Sequence, residues 1–415
     1  MAQAALFGGY WSAIRSQPHS ASTRLRVPLL VIVSLAFNFL WIGQTYKNRT
    51  GDTASDVNAA VSAVDAGLSD PGQKYDEKLK NNLERGEGVS TIRDYITLPL
   101  YPVLWIGFPL GVFFWNRLSV RVRAALVGWI IVDLSMWVAA GTNKGIADFV
   151  ILLPCLLIAR NPAMLTKIRL RNVLLIGFIA VTGAAALFAF FSLGLLGRSG
   201  GNLDLMHNSA AGISADSDNI ALRYLPLELQ GQAASFASYF SQGYYGLSLS
   251  LDQPFVFCYG VGNSYFMEGL SRRFVSAPIG LDSYPARIEG TGWGRFSNWH
   301  SIYPWIASDL SFPGTIVFMF VIGRLFALVW LDVAFCRNPW AVCLLTLLLM
   351  MLFYAPANNQ VLAFAEEAIP FWTLLFLWSF SRARAGKRKM KSTFGTVPAA
   401  RQHSRVQALA TPWKA

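Results

Sequence analysis

Charge is what this sequence lacks most. Asp, Glu, Lys and Arg make up only 14% of its 415 residues, where a soluble globular chain carries about 25%. Hydrophobic residues reach 54%, and the mean hydropathy is +0.40. An ordinary soluble enzyme or binding domain is excluded, and the bilayer is indicated instead. Cysteine and histidine are scarce, at four each. Cys155 and Cys343 sit in apolar runs, Cys336 in a short basic loop, and Cys258 alone in a polar segment. Neither a disulfide framework nor a cysteine-based metal centre is expected from that scatter. The nearest approach to a D-x-D cluster outside the apolar runs is "DSD" at 216–218, so no metal and no other cofactor is expected. No A-x-A-like site follows the first apolar run, which begins near Val27, and no cleaved leader is expected.

What is there is a series of apolar runs. A helix needs roughly 20 such residues to cross about 30 Å of hydrocarbon. Eight runs qualify or come close, at 27–43, 97–115, 124–141, 146–160, 173–195, 312–332, 339–355 and 367–381. The net charge of +12 is gathered in short clusters beside these runs: Arg15, Arg24 and Arg26, then "NRLSVRVR", "RNPAMLTKIRLRN", Arg337, and "SRARAGKRKMK". Such clusters are a topology signal rather than a nucleic-acid stripe, and no nucleic-acid partner is expected. With eight spans all five fall on one side, which makes both termini cytoplasmic. The expected fold is therefore an all-α integral membrane protein. It has a cytoplasmic N-terminus (1–26), a first helix (27–43), a periplasmic loop (44–96), helices two to five (97–195), a large periplasmic loop (196–311), helices six to eight (312–381), and a basic cytoplasmic tail (382–415).

The outer loops carry the expected chemistry, because long loops without structure are uncommon unless functional. In the first, Val57, Val61, Val64 and Leu68 recur at helical spacing and the charged run "KYDEKLKNNLERGEG" follows, which predicts a helical hairpin lying over the spans, with a catalytic role as the alternative. "NRT" at 48–50 is a sequon in form only. In the second, "IALRYLPLELQGQAASFASYFSQGYYGLSLSL" is amphipathic and aromatic, and the stretch from "FCYGVGNSYFMEGLSRRF" to "RIEGTGWGRFSNWHSIY" is dense in Gly, aromatics and Arg. Aromatic faces stack on sugars, and Arg grips phosphate or carboxylate. An anionic glycolipid fits that composition, and so does an ordinary interfacial belt.

The order of these pieces carries a resemblance. "GTNKG" joins two helices, "YFSQGYYGLSLSL" precedes "GVGNS", and "NWHSIYPWIASDLSFPG" runs into "FVIGRLF". Over roughly residues 97 to 380 the chain resembles the O-antigen polymerases, within the wider superfamily of polymerases and O-antigen ligases. It departs from them in its eight spans, where many members have ten or more, and in Lys144, where the family's turn usually carries Arg. The resemblance implies an enzyme of the bacterial inner membrane. Such an enzyme transfers an undecaprenyl-diphosphate-linked glycan to a hydroxyl of a second lipid-linked repeat, extending a surface polysaccharide or exopolysaccharide. The implied partners are the bilayer, the lipid-linked donor and acceptor, a flippase and a chain-length regulator. A ligase with the same chemistry is the alternative, and a polysaccharide transporter or flippase component the second.

Such a transfer needs cations where the diphosphate leaves and a base within reach of the acceptor hydroxyl. The candidate cations are Lys144, Arg223, Arg272, Arg273, Arg287 and Arg295, with a snorkelling interfacial role as the plainer reading of Lys144. His300 is a candidate base, or a histidine sitting where loop meets membrane. Asp309 is a second candidate, or a helix cap. Glu366 and Glu367 are an interfacial carboxylate pair from which a base could come. Asp148, four residues beyond Lys144, is placed to pair with it. Arg324 lies mid-span with Asp133 as its candidate partner, either as a structural buried pair or in a lipid-diphosphate cavity.

Overall fold

Proline and capping side chains start the helices where the apolar runs begin. The computed structural model describes residues 1–14, 26–53, 56–84, 92–161, 218–275, 278–295 and 298–393, with scattered positions between 174 and 216. The first elements are α1 (Ala2–Ile14), α2 (Val27–Leu40) with Pro28 in its first turn, α3 (Ile42–Thr50), α4 (Val57–Ser69) and α5 (Pro71–Glu84). Then come α6 (Ile92–Thr97), α7 (Tyr101–Phe113), α8 (Val120–Ala139) and α9 (Lys144–Arg160). The second half holds α10 (Leu227–Leu251), α11 (Tyr265–Phe274), α12 (Ile302–Leu331), α13 (Pro339–Tyr354) and α14 (Ala365–Thr393). Ser119 caps α8 through the Val122 amide, and Asn338 caps α13 through the Trp340 amide. Each supplies an acceptor to an amide that has no partner within its own helix. The described residues are helical apart from turns and a two-residue ladder pairing His207–Asn208 with Ile213–Ser214.

Among the described residues three helices are long and apolar enough to cross a membrane: Tyr95–Phe113, Val120–Ala139 and Ile302–Cys336. A fourth crossing is made if α2 and α3, bent by 63° at Trp41, count as one. The chain is thus a helical protein with membrane-crossing character. The expected fifth span, 173–195, is described only at interrupted positions, and those are helical. α13 is apolar on every side and buried almost throughout, with Leu344, Leu345, Leu347 and Leu348 at 0% exposure. A helix without a polar face is a core helix, and α7, α9, α12 and α14 pack around it.

Three features differ from the sequence expectation. First, α1 is a helix where only a cytoplasmic terminus was expected. It lies along α12 at very close range. A methyl group on Gly9 would sit 1.9 Å from the Phe320 carbonyl oxygen, and one on Gly323 would sit 1.9 Å from that of Leu6. Glycines at such positions let two helix backbones touch, which is how helices pack where no water drives them together. Second, α12 begins at Ile302, ten residues before the expected 312, and breaks at Ser311 (φ 63°, ψ 168°). Pro313 lies two residues on, lacks an amide for the ladder, and restricts the residue before it. Third, α4 forms as expected, capped by Asp56 through the Ala59 amide at 2.8 Å, but Val57, Val61 and Leu68 face outward. Its packed face carries Gly67, against the Val138 carbonyl of α8.

Candidate functional site

The turn "GTNKG" builds the site. Gly141 takes the left-handed conformation (φ +61°) that lets the chain reverse after α8. Gly145 has no side chain to collide with the Trp137 ring, which would lie 2.0 Å from a methyl there. The indole can therefore lie against the start of α9, directly beside Lys144. Three cations gather on that one ring: Arg49 from α3 at 4.4 Å, Lys144 at 5.2 Å and Lys78 from α5 at 5.8 Å. Each is within the range in which a ring face attracts a cation.

Carboxylates answer them. The Lys144 ammonium donates to Glu367, whose side chain is 3% exposed, and lies 3.6 Å from Glu366. Arg49 donates to the Asp133 carboxylate at 2.5 Å and to the Asp133 carbonyl at 3.2 Å. Asp148, one turn into α9, accepts from the Tyr354 hydroxyl at 3.0 Å. Burial, before anything else, pulls the Lys78 ammonium down to about 8; Lys144 and Arg49 add to this, and Glu366 opposes it. All but Lys78 and Tyr354 line one cavity of about 170 Å³, walled by Trp105, Phe108 and Trp129 among others. Polar and charged groups converging in an aromatic-walled cavity are what a binding or reaction site requires.

Two pairings therefore differ from the sequence expectation. Asp133 pairs with Arg49, not with Arg324, whose guanidinium is exposed and donates to Ser12 on α1 at 3.2 Å. Lys144 takes the two glutamates, and Asp148 takes Tyr354. Arg49 was missed because it stands in "NRT", which reads only as a sequon. Trp137 was missed because nothing local distinguishes it from other span tryptophans.

The large-loop candidates are gathered elsewhere. Arg295, 3% exposed, pairs with Glu268 at 2.7 Å and lies 3.5 Å from Glu289, while Arg272 also pairs with Glu268. Arg273 covers the Tyr95 ring at 5.3 Å. Arg287 donates to the Pro254 carbonyl at 2.6 Å and covers Tyr284. Arg223 is exposed at the end of the short helix Ile220–Arg223. Asp309 accepts from the Gly260 amide at 2.7 Å, the Gly262 amide at 3.3 Å and Asn263 Nδ2 at 2.7 Å. It fastens the Gly-rich loop to α12.

His300 is 1% exposed, between the edges of Trp293 and Trp305. Among the described residues, neither ring nitrogen has a hydrogen-bond partner. Burial lowers its pKa to about 4; Arg295 adds to that, and the nearby Gly294 backbone opposes it without ordinary hydrogen-bond geometry. The histidine is therefore neutral at pH 7. An unfolded chain takes up the proton near pH 6.5, and the folded one does so only near 4. Stability should be complete above pH 6.5 and decline as pH falls through that window, by roughly 3 kcal/mol. Unfolding midpoints measured from pH 7.5 to 4.5 should show this decline in the parent protein, and His300→Leu should flatten it. An equal decline in both would remove His300 as its source.

Among the described residues no group of three or more His, Cys, Asp or Glu side chains is arranged to hold a metal ion. No family model matches the chain, and neither a curated protein nor a solved structure matches it.

Proposed function

We propose that the chain is a membrane glycosyltransferase that joins glycans carried on a lipid diphosphate, with the Trp137 cavity as its reaction site. The observation that supports this best is the meeting of Arg49 and Lys144 with Glu366 and Glu367 on one aromatic-walled cavity. The reaction needs both signs of charge together. The acceptor hydroxyl oxygen attacks the anomeric carbon of the donor sugar, and the bond from that carbon to the diphosphate oxygen breaks with its electron pair. Lys144 and Arg49 stabilise the charge that grows on the departing diphosphate. Glu367 takes the hydroxyl proton, with Lys144 holding the carboxylate in place. The tryptophans and phenylalanines offer faces to sugar rings and to an isoprenoid chain. In this reading the donor is an undecaprenyl-diphosphate-linked repeat unit, the membrane is a bacterial cytoplasmic membrane, and the cavity opens to its outer face.

The test is direct. The full chain in nanodiscs is supplied with a fluorescent lipid-diphosphate-linked oligosaccharide, and products are separated by size. The expected result is a ladder spaced by one repeat, with release of lipid diphosphate. Arg49→Ala and Lys144→Ala should each lose about 10²–10³-fold in rate, the usual worth of an aimed donor. Donor left unconsumed by folded parent protein would reject the reading. So would unchanged rates in both variants.

A further inference from the structure

A second cluster of charge lies away from the Trp137 cavity, at the opposite ends of the helices concerned. Arg117 follows α7, Arg160 ends α9, and Arg337 follows α12. They belong to three separate basic segments of the sequence, yet they line one small cavity of about 100 Å³ with Phe113, Phe114 and Asn116. Its floor is built. Phe113 and Phe114 meet edge to face at 4.9 Å. Arg117 lies over Phe114 at 5.0 Å and Arg337 over Phe113 at 5.4 Å. Arg337 also donates to the Arg160 carbonyl at 3.3 Å. No carboxylate lines this cavity, and none forms an ion pair with any of the three among the described residues.

Arginine at a helix C-terminus complements the helix dipole. That accounts for one guanidinium per helix end, and not for three directed into one cavity. Like charges held together are unfavourable, and Arg337 is held there by a non-glycine residue in the left-handed conformation, φ 50°. Arg337 is exposed, yet partial desolvation, with Arg117 and Arg160 beside it, makes its charged form less favourable than in water. Guanidinium groups supply several directed donors suited to phosphate oxygens. Basic pockets between membrane helices on the side of the basic loops are where anionic headgroups are held.

We infer that the Arg117, Arg160 and Arg337 pocket binds the phosphate group of an anionic ligand, from an anionic phospholipid headgroup or from free phosphate. This does not depend on the glycosyltransferase reading. The full chain is placed in nanodiscs of phosphatidylcholine alone, of phosphatidylcholine with 30% phosphatidylglycerol, and of phosphatidylcholine alone with inorganic phosphate in the buffer. Unfolding midpoints are measured in each, and retained lipids are counted by native mass spectrometry. Phosphatidylglycerol should raise the midpoint of the parent protein and leave one more lipid bound than in the Arg160→Gln/Arg337→Gln variant. The variant should bind at least tenfold more weakly. Arg384→Gln, outside the pocket, should behave as the parent. Arg337→Gly removes the guanidinium while keeping the left-handed backbone, and it should lose the response even if the double variant folds poorly. Stabilisation by inorganic phosphate, lost in the same variants, would support the site with a soluble anion as its ligand. No response to either anion, or a response undiminished in Arg337→Gly, would overturn it.

Discussion

Lys144→Met should unfold the site. The substitution leaves Glu367, with a side chain 3% exposed, as a carboxylate without its main cation. Removing one member of a buried pair typically costs about 3–5 kcal/mol, because the remaining charge is left uncompensated. Much of that cost belongs to the orphaned charge rather than to the lost attraction. The double variant Lys144→Met/Glu367→Gln should therefore recover most of the loss, since a neutral amide no longer demands a cation. Function should not recover with it, because the double variant lacks both the cation at the leaving group and the proton acceptor. Unfolding midpoints and transfer rates on the same preparations separate the two effects. A Lys144→Met protein that melts with the parent would show that a proton or solvent already satisfies Glu367. A double variant that regains transfer would remove both residues from the reaction.

The second large effect is expected at the clasp between α1 and α12. A valine at Gly9 meets the Phe320 carbonyl, and one at Gly323 meets that of Leu6, each with a first carbon only 1.9 Å from a backbone oxygen. Backbone cannot swing aside as a flexible side chain can, so the helices must part. Overpacking of this kind costs about 1–3 kcal/mol, and more where nothing gives. Because either valine detaches the same helix, the double variant should cost no more than the worse single one, a marked departure from additivity. A cysteine placed at Phe7 or Trp11, both 63% exposed, should report the detachment through a change in labelling by a water-soluble reagent. Additive losses, or unchanged labelling, would mean that the clasp yields locally and α1 stays docked.

The elements legible from sequence were those that composition enforces. The runs behind α2, α7, α8 and α13 are too apolar to sit elsewhere, and Pro28, Ser119 and Asn338 mark where three of them start. Less was legible where contacts between distant segments decide. α1 is 13 residues long, too short to read as a span, and what places it is backbone contact through glycine. The first turns of α12 fall within the stretch expected as loop, 196–311. Ser308 and Asp309 are buried there by the segments they bind, Ser308 through Tyr284 and Asp309 through the Gly260 loop. In the site, Lys144 was singled out by its turn, but its partner Glu367 lies 223 residues away. Arg49 and Asp133 are 84 residues apart. No periodicity or local spacing could join either pair. The arginines of the large loop read as phosphate ligands by type, and burial instead commits Arg295 to Glu268.

The break at Ser311 also acts as a ruler. A straight helix of 30 residues would be roughly 45 Å long, far more than the hydrocarbon thickness of about 30 Å. The stretch from Ser311 to Leu331 would be roughly 32 Å, a close match. The nine residues before it then lie at the boundary, where Asp309 fastens the Gly260–Asn263 loop. Hydrophobic mismatch would thus act on that loop through α12. A thinner bilayer tilts the lower segment, and the angle at Ser311 converts the tilt into a displacement of the loop along the surface. Lipid chain length would then bear on the Gly260–Asn263 loop without any lipid touching that loop.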